Sequence, residues 1–173
     1  MKFKPYIFII VGLISCSKPV KKTTDLKFVD IKGYFQKEAI RLTQRNKTIY
    51  KTVISSNGTE SKKVSNINWS NELNLFIESD LNKPAWKDSY KIIRKQDQVT
   101  YKALDSNLTV RQIVIKELKG NKKRFDIFKK DKNILYQALD HLIYIPDSIY
   151  QIDKSQNILL IGKNRYVITG KFK

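Results

Sequence analysis

From Ser89 to its C-terminus the chain is a succession of apolar-rich runs parted by short polar breaks, and this pattern constrains the fold more than any other feature. Alternation of apolar and polar residues has the period of a strand whose side chains point to opposite faces in turn. The runs lie near Tyr90 to Arg94, Val99 to Leu104, Leu108 to Leu118, Arg124 to Lys129, Ile134 to Ile145, Ile149 to Ile152, Ile158 to Ile161 and Tyr166 to Phe172. The breaks include Lys95-Gln96-Asp97-Gln98, Asp105-Ser106-Asn107, Gly120-Asn121 and Gly162-Lys163-Asn164. They are long enough for hairpins and too short for the crossover helices that parallel strands require, so the expected sheet is an antiparallel meander. Within Leu108 to Leu118, Val110 and Val114 fall on one face and Ile113 and Ile115 on the other. Such a strand is expected to be covered on both sides.

The preceding segment reads differently. Asp30 is placed to cap a helix in which Ile31, Phe35, Ala39 and Leu42 share one face, while Lys32, Lys37 and Arg41 point elsewhere. Val29 and Tyr34 have the spacing of a hydrophobic staple across that cap. Strand-like alternation from Thr48 to Ile54 and again from Thr59 to Val64 brackets Asn57-Gly58, the signature of a type I′ hairpin. A second amphipathic helix is expected after Asn68, with Trp69, Leu73, Phe76 and Ile77 on one side through Asp80, and Pro84 closes the helical region. The expected fold is α+β: two amphipathic helices on an antiparallel, mainly meander sheet of about seven to nine strands, curved toward a half-barrel.

The first residues carry a different kind of information. Lys2 and Lys4 precede an apolar run from Tyr6 to Ile14, less than half of the roughly 20 residues a membrane-spanning helix needs. Charge, a short apolar run and small residues, in that order, are the plan of a secretory signal. Leu13-Ile14-Ser15-Cys16 resembles the lipobox of bacterial lipoproteins. The resemblance implies a signal peptide over 1–15, cleavage before Cys16 and diacylglycerol on its sulfur, usually with a further acyl chain on the new amino group. Residues 16–27 then read as an acylated cysteine and polar tether, and 28–173 as a single α+β domain. Lys18, Lys21 and Lys22 sit within the tether. Serine rather than aspartate follows the cysteine, which in lipoproteins of the proteobacterial kind directs passage to the outer membrane. Basic rather than acidic residues after Cys16 point to the periplasmic side.

Cys16 is the only cysteine among 173 residues and His141 the only histidine, so no disulfide is expected and the ligands of a zinc site are lacking. The glycines are scattered, without a phosphate-cradling loop, and no cofactor is expected. The formal charge of +18 favours anionic partners. Abundant Lys, Asn, Ile, Tyr and Phe are also the mark of A/T-rich codons, and with no recognisable nucleic-acid motif a nucleic-acid partner is not expected. The densest basic segment, Lys122, Lys123, Arg124, Lys129 and Lys130 around Phe125 and Phe128, is the candidate contact for anions or lipid headgroups. His141 lies on the face of Leu139 and Ile143, with Asp140 on the opposite face, so adjacency does not make a catalytic dyad.

In overall plan the chain resembles small lipoproteins of Bacteroidota of uncharacterised role, a resemblance that brings no catalytic residues. The expectation is a membrane-anchored, non-catalytic binding or assembly module with an envelope protein partner. The alternative is a lipid or lipoprotein carrier, similar in outline to the lipoprotein-localisation carriers, with an apolar cavity between helices and sheet.

Overall fold

Helix α1, Ile31–Gln44, begins where the sequence places its cap: the Asp30 carboxylate accepts from the Gly33 amide at 2.7 Å. Ile31, Phe35, Ala39 and Leu42 are buried along one stripe. The computed structural model describes residues 26–120 and 122–173. The expected signal peptide, Cys16 and the tether through Asp25 lie outside the described residues.

Strands β1, Ile49–Ser55, and β2, Gly58–Val64, form the first hairpin, but not through a type I′ turn. Ser55 pairs with Gly58, and only Gly58 takes a positive φ, of 124°. The Ser55 hydroxyl accepts from the Asn57 amide at 3.2 Å and holds Ser56 and Asn57 in an ordinary turn. Gly58 then supplies the left-handed step as the first residue of β2. The second helix starts at the expected cap, Asn68 accepting from the Asn71 amide at 3.1 Å, yet breaks at Leu73 into α2, Trp69–Glu72, and α3, Asn74–Ile77. Asn71 and Asn74 compete with the helical backbone for hydrogen bonds, and the Asn74 side chain binds Glu78 instead.

After a 3-10 turn at Pro84–Trp86 come β3 (Tyr90–Lys95), β4 (Gln98–Ala103), β5 (Val110–Leu118), β6 (Lys122–Lys132), β7 (Tyr136–Ile145), β8 (Ile149–Ile158) and β9 (Gly162–Phe172). They build one nine-stranded antiparallel sheet, order β2-β1-β9-β8-β7-β6-β5-β4-β3. The last strand is inserted between β1 and β8, joining the N-terminal hairpin to the meander. The sheet stays open, with β2 and β3 as edges.

Two expectations within the meander are corrected. Ile158 to Ile161 is not a strand of its own: β8 runs on to Ile158, and Leu159, Leu160 and Ile161 make the turn into β9. Likewise Ile134 and Leu135 sit in the β6–β7 turn rather than at the start of β7. The β5 strand is also less two-sided than its spacing suggests. A bulge between Val110 and Gln112 shifts the register, so Val110 joins Ile113 and Ile115 in the buried set. Only Val114 of that group is left on the other face.

The helices pack on one face of the sheet, and aromatic rings fill the contact. Phe35 of α1 lies 4.9 Å from Phe76, 5.3 Å from Phe125 and 5.1 Å from Tyr144, ring centre to ring centre. Trp69 stacks on Phe172 at 5.5 Å. The Tyr150 ring occupies the space beside Gly170, its partner on β9, where a Cβ would meet it at 2.0 Å. The ring cannot yield, being fully buried with its hydroxyl donating to Glu72. Gly170→Ala is therefore expected to lower stability by about 1–3 kcal/mol, as overpacking does. Urea unfolding measures this, and a neutral substitution would mean the ring has room to move.

Candidate functional site

Among the described residues no helix covers the opposite face of the sheet, and the alternation of β6 through β9 decides what it displays. Phe125 and Ile127 point to the helices, so Arg124, Asp126, Phe128 and Lys130 point outward. The pairing Phe128↔His141↔Asp153↔Val167 then sets four side chains in one row across the face. Asp126, Ile143, Gln151 and Thr169 form the adjacent row, and Lys130, Leu139, Ser155 and Arg165 the row beyond.

Within these rows the two carboxylates are paired. Arg124 grips Asp126 with two hydrogen bonds, Nε to Oδ2 at 2.6 Å and Nη2 to Oδ1 at 2.8 Å. His141 Nε2 lies 3.3 Å from Asp126 Oδ1. Burial alone would raise the Asp126 carboxyl, but the Arg124 hydrogen bonds, with help from His141, hold it below the usual carboxylate range. The Phe128 ring stacks on His141, centres 4.2 Å apart and 13° from parallel. Arg165 binds Asp153 in the same bidentate way, at 2.9 and 2.6 Å, and so lowers its pKa. Phe128, His141, Leu139, Lys130, Asp153 and Arg165 are among the residues around an open groove of about 480 Å³.

His141 is committed to Asp126 and to the Phe128 ring, and among the described residues it makes no hydrogen bond to a hydroxyl or thiol. What the face offers is an aromatic platform, flanking aliphatic side chains and fixed ion pairs. Among the described residues no cluster of His, Cys, Asp and Glu could hold a metal ion, and no helix is long and apolar enough to cross a membrane.

The structure does not set the basic segment singled out in the sequence on one face of the sheet. Lys122 and Lys123 are exposed at the start of β6, Arg124 is bound to Asp126, and Lys130 borders the groove. Lys129 points to the other side, where burial pushes its ammonium pKa down despite the nearby Asp140 and Glu78. Asp140 faces the same way, opposite Lys129 in register. One of its oxygens is buried without a hydrogen-bond partner, and burial raises its carboxyl pKa. Sequence reasoning placed His141 on the correct face but missed its partners, Asp126 and Phe128, which lie across a strand pair. The signal that could have found them is the shared parity of the three residues, once β6 and β7 are taken as a hairpin.

No known protein family, curated protein or solved structure matches the chain.

Proposed function

We propose that this protein is a non-catalytic binding module of a bacterial cell envelope, anchored through acyl chains on Cys16, that offers the uncovered face of its sheet to an envelope protein. The lipobox resemblance supports the anchor, Ser17 after the cysteine favours the outer membrane, and the basic residues that follow favour its periplasmic side. The observation that carries the binding reading is the one-sided packing. Helices cover one face, while the other keeps Phe128 and Leu139 exposed, at 37% and 46%, beside arginines already locked in place. Preformed ion pairs around an aromatic platform suit recognition, because little further ordering is needed on binding.

The carrier alternative has less support. It needs an apolar cavity between helices and sheet, and that space holds the rings of Phe35, Phe76, Phe125 and Tyr144 in contact.

The test is a photo-crosslinking residue in place of Leu139 in the acylated protein, within its native envelope. The expected result is one discrete crosslinked protein, weakened about tenfold or more by Phe128→Asp, as when a buried aromatic anchor is lost. A crosslinker in place of Gln96, in the β3–β4 turn, should not trap that protein. Failure to trap any protein at Leu139, together with a lipid-sized adduct in the native mass spectrum, would replace this reading with the carrier.

A further inference from the structure

The residues most exposed for their type lie neither on the helix face nor in the groove but at one end of the sheet. Ile134 and Leu135 in the β6–β7 turn are 93% and 65% exposed, and Leu159, Leu160 and Ile161 in the β8–β9 turn are 60%, 100% and 80% exposed. Five large aliphatic side chains on two adjacent tips are a patch, where scattered apolar residues would need no explanation.

The tips are also built to hold their shape. The Asn133 side chain accepts from the amides of Leu135 and Tyr136 at 2.8 and 2.9 Å, and the Asn133 amide donates to the Tyr136 carbonyl. The Leu159 amide donates to the Leu135 carbonyl at 2.8 Å and ties one tip to the other, while the Ile161 amide turns back to Ile158. Leu160 sits at φ +71°, a conformation that bulky residues adopt at a cost. The bonded amides of Leu135, Tyr136, Leu159 and Ile161 lower the cost of taking these turns out of water, since an unsatisfied amide in hydrocarbon is expensive.

Charge indicates what covers the tips. Lys132 is two residues from Ile134 and Lys163 three from Leu160, within roughly 10 Å along the strands, and Lys130 and Arg165 follow behind. Lys130, Lys132 and Lys163 have no ion-pair partner among the described residues, and the nearest acid, Asp131, is bound by the Tyr136 hydroxyl. An apolar tip with cations set back by that distance matches a bilayer surface, in which interfacial side chains sink roughly 5–10 Å and lysines remain at the headgroups.

We infer that the two tips form a lipid-docking edge that inserts into the interfacial layer of an anionic bilayer. Leu26 and the Lys27–Asp88 ion pair lie where β3 starts and β4 finishes, the same end of the sheet at which β6 and β8 reach the tips. The stretch from Cys16 to Leu26 spans at most about 35 Å, so a chain anchored at Cys16 can set this end on its own membrane. The domain would then stand on its tips, with the groove face turned sideways. The inference is independent of the binding role of that face.

The test uses the acylated full chain in phosphatidylcholine–phosphatidylglycerol vesicles, carrying Leu160→Cys labelled with an environment-sensitive fluorophore. Acylation leaves the introduced thiol as the one available for labelling, and two labels per chain by mass would report a failure of the anchor rather than of the edge. The expected result is a blue-shifted label quenched by lipid-borne bromine, with a Gln96→Cys label at the far end unaffected. Lys132→Glu with Lys163→Glu should weaken this quenching about fivefold or more, in line with the contribution of each surface cation near anionic lipid. A label that stays in water would overturn the inference. So would a label shielded in detergent and vesicles alike with label–label transfer, the sign of a second copy on the tips.

Discussion

Replacing Arg41 with methionine is expected to destabilise the domain by about 3–5 kcal/mol, the loss seen when one partner of a buried ion pair is removed. Glu38 of α1 is 7% exposed, on the helix side that meets the sheet. Its carboxylate accepts from Arg41 Nε and Nη2 at 2.7 and 2.6 Å and from the Tyr144 hydroxyl. The same guanidinium reaches Asp147 in the β7–β8 turn at 3.1 Å, so Arg41 ties helix to turn while Glu38 ties helix to strand through Tyr144. Asp147 lies at φ +55°, which a short polar residue tolerates and which presents its carboxylate to Arg41. With methionine at position 41, Glu38 would keep only Tyr144 as partner in a desolvated place. Adding Glu38→Leu and Tyr144→Phe to Arg41→Met should recover most of the loss, because the charge then leaves together with both of its partners. Urea unfolding of the two variants decides the matter. A loss below about 1 kcal/mol for the single substitution would mean that the cluster is hydrated like a surface pair.

High pH offers the second large effect. Tyr90, Tyr144 and Tyr150 are 6%, 0% and 0% exposed, and burial raises all three phenols, Tyr90 to about 12. Tyr144 and Tyr150 are raised further because each donates to a carboxylate, Glu38 and Glu72 respectively. In the unfolded chain a tyrosine ionises near pH 10, whereas the folded one keeps its proton. Above that pH the unfolded state binds fewer protons, so stability is whole below about pH 10 and falls as pH rises toward the folded values. Each tyrosine costs about 1.4 kcal/mol per pH unit in that window, and three cost about 4. A domain holding roughly 5–15 kcal/mol should unfold cooperatively between about pH 11 and 13. Phenolate absorbance and circular dichroism, followed together, should change in one step. Ionisation centred near pH 10 with the dichroism intact would show these phenols to be reachable by water.

Where local pattern and local chemistry coincide, the fold is legible in the sequence. The Asp30 and Asn68 caps, the Ile31-Phe35-Ala39-Leu42 stripe and the antiparallel meander all follow from spacing and side-chain hydrogen bonding within a few residues. The errors share a cause of a different kind. Ile158 to Ile161 has the composition of a strand, yet the pairing of Tyr136 with Ile158 and of Ile158 with Gly162 leaves it as a turn. Spacing alone groups Val110 with Val114, because a bulge adds a residue that periodicity counts as ordinary. The burial of Glu38 depends on Arg41 and Tyr144, and the second of these comes from a distant strand.

The candidate sites divide along the same line. The sequence by itself determined the strand runs, the face on which His141 lies, the basic composition and the signal-like first residues with Cys16, because these depend on neighbours along the chain. Only the tertiary structure decided that β9 enters between β1 and β8, that Asp126, Phe128 and His141 meet across a strand pair, and that Ile134 and Leu160 stand together at one end of the sheet. Each of these is a contact between distant segments, set by strand register and by which face the helices bury. A period-two pattern tells which side of its own strand a residue takes but not which residue of another strand it will face.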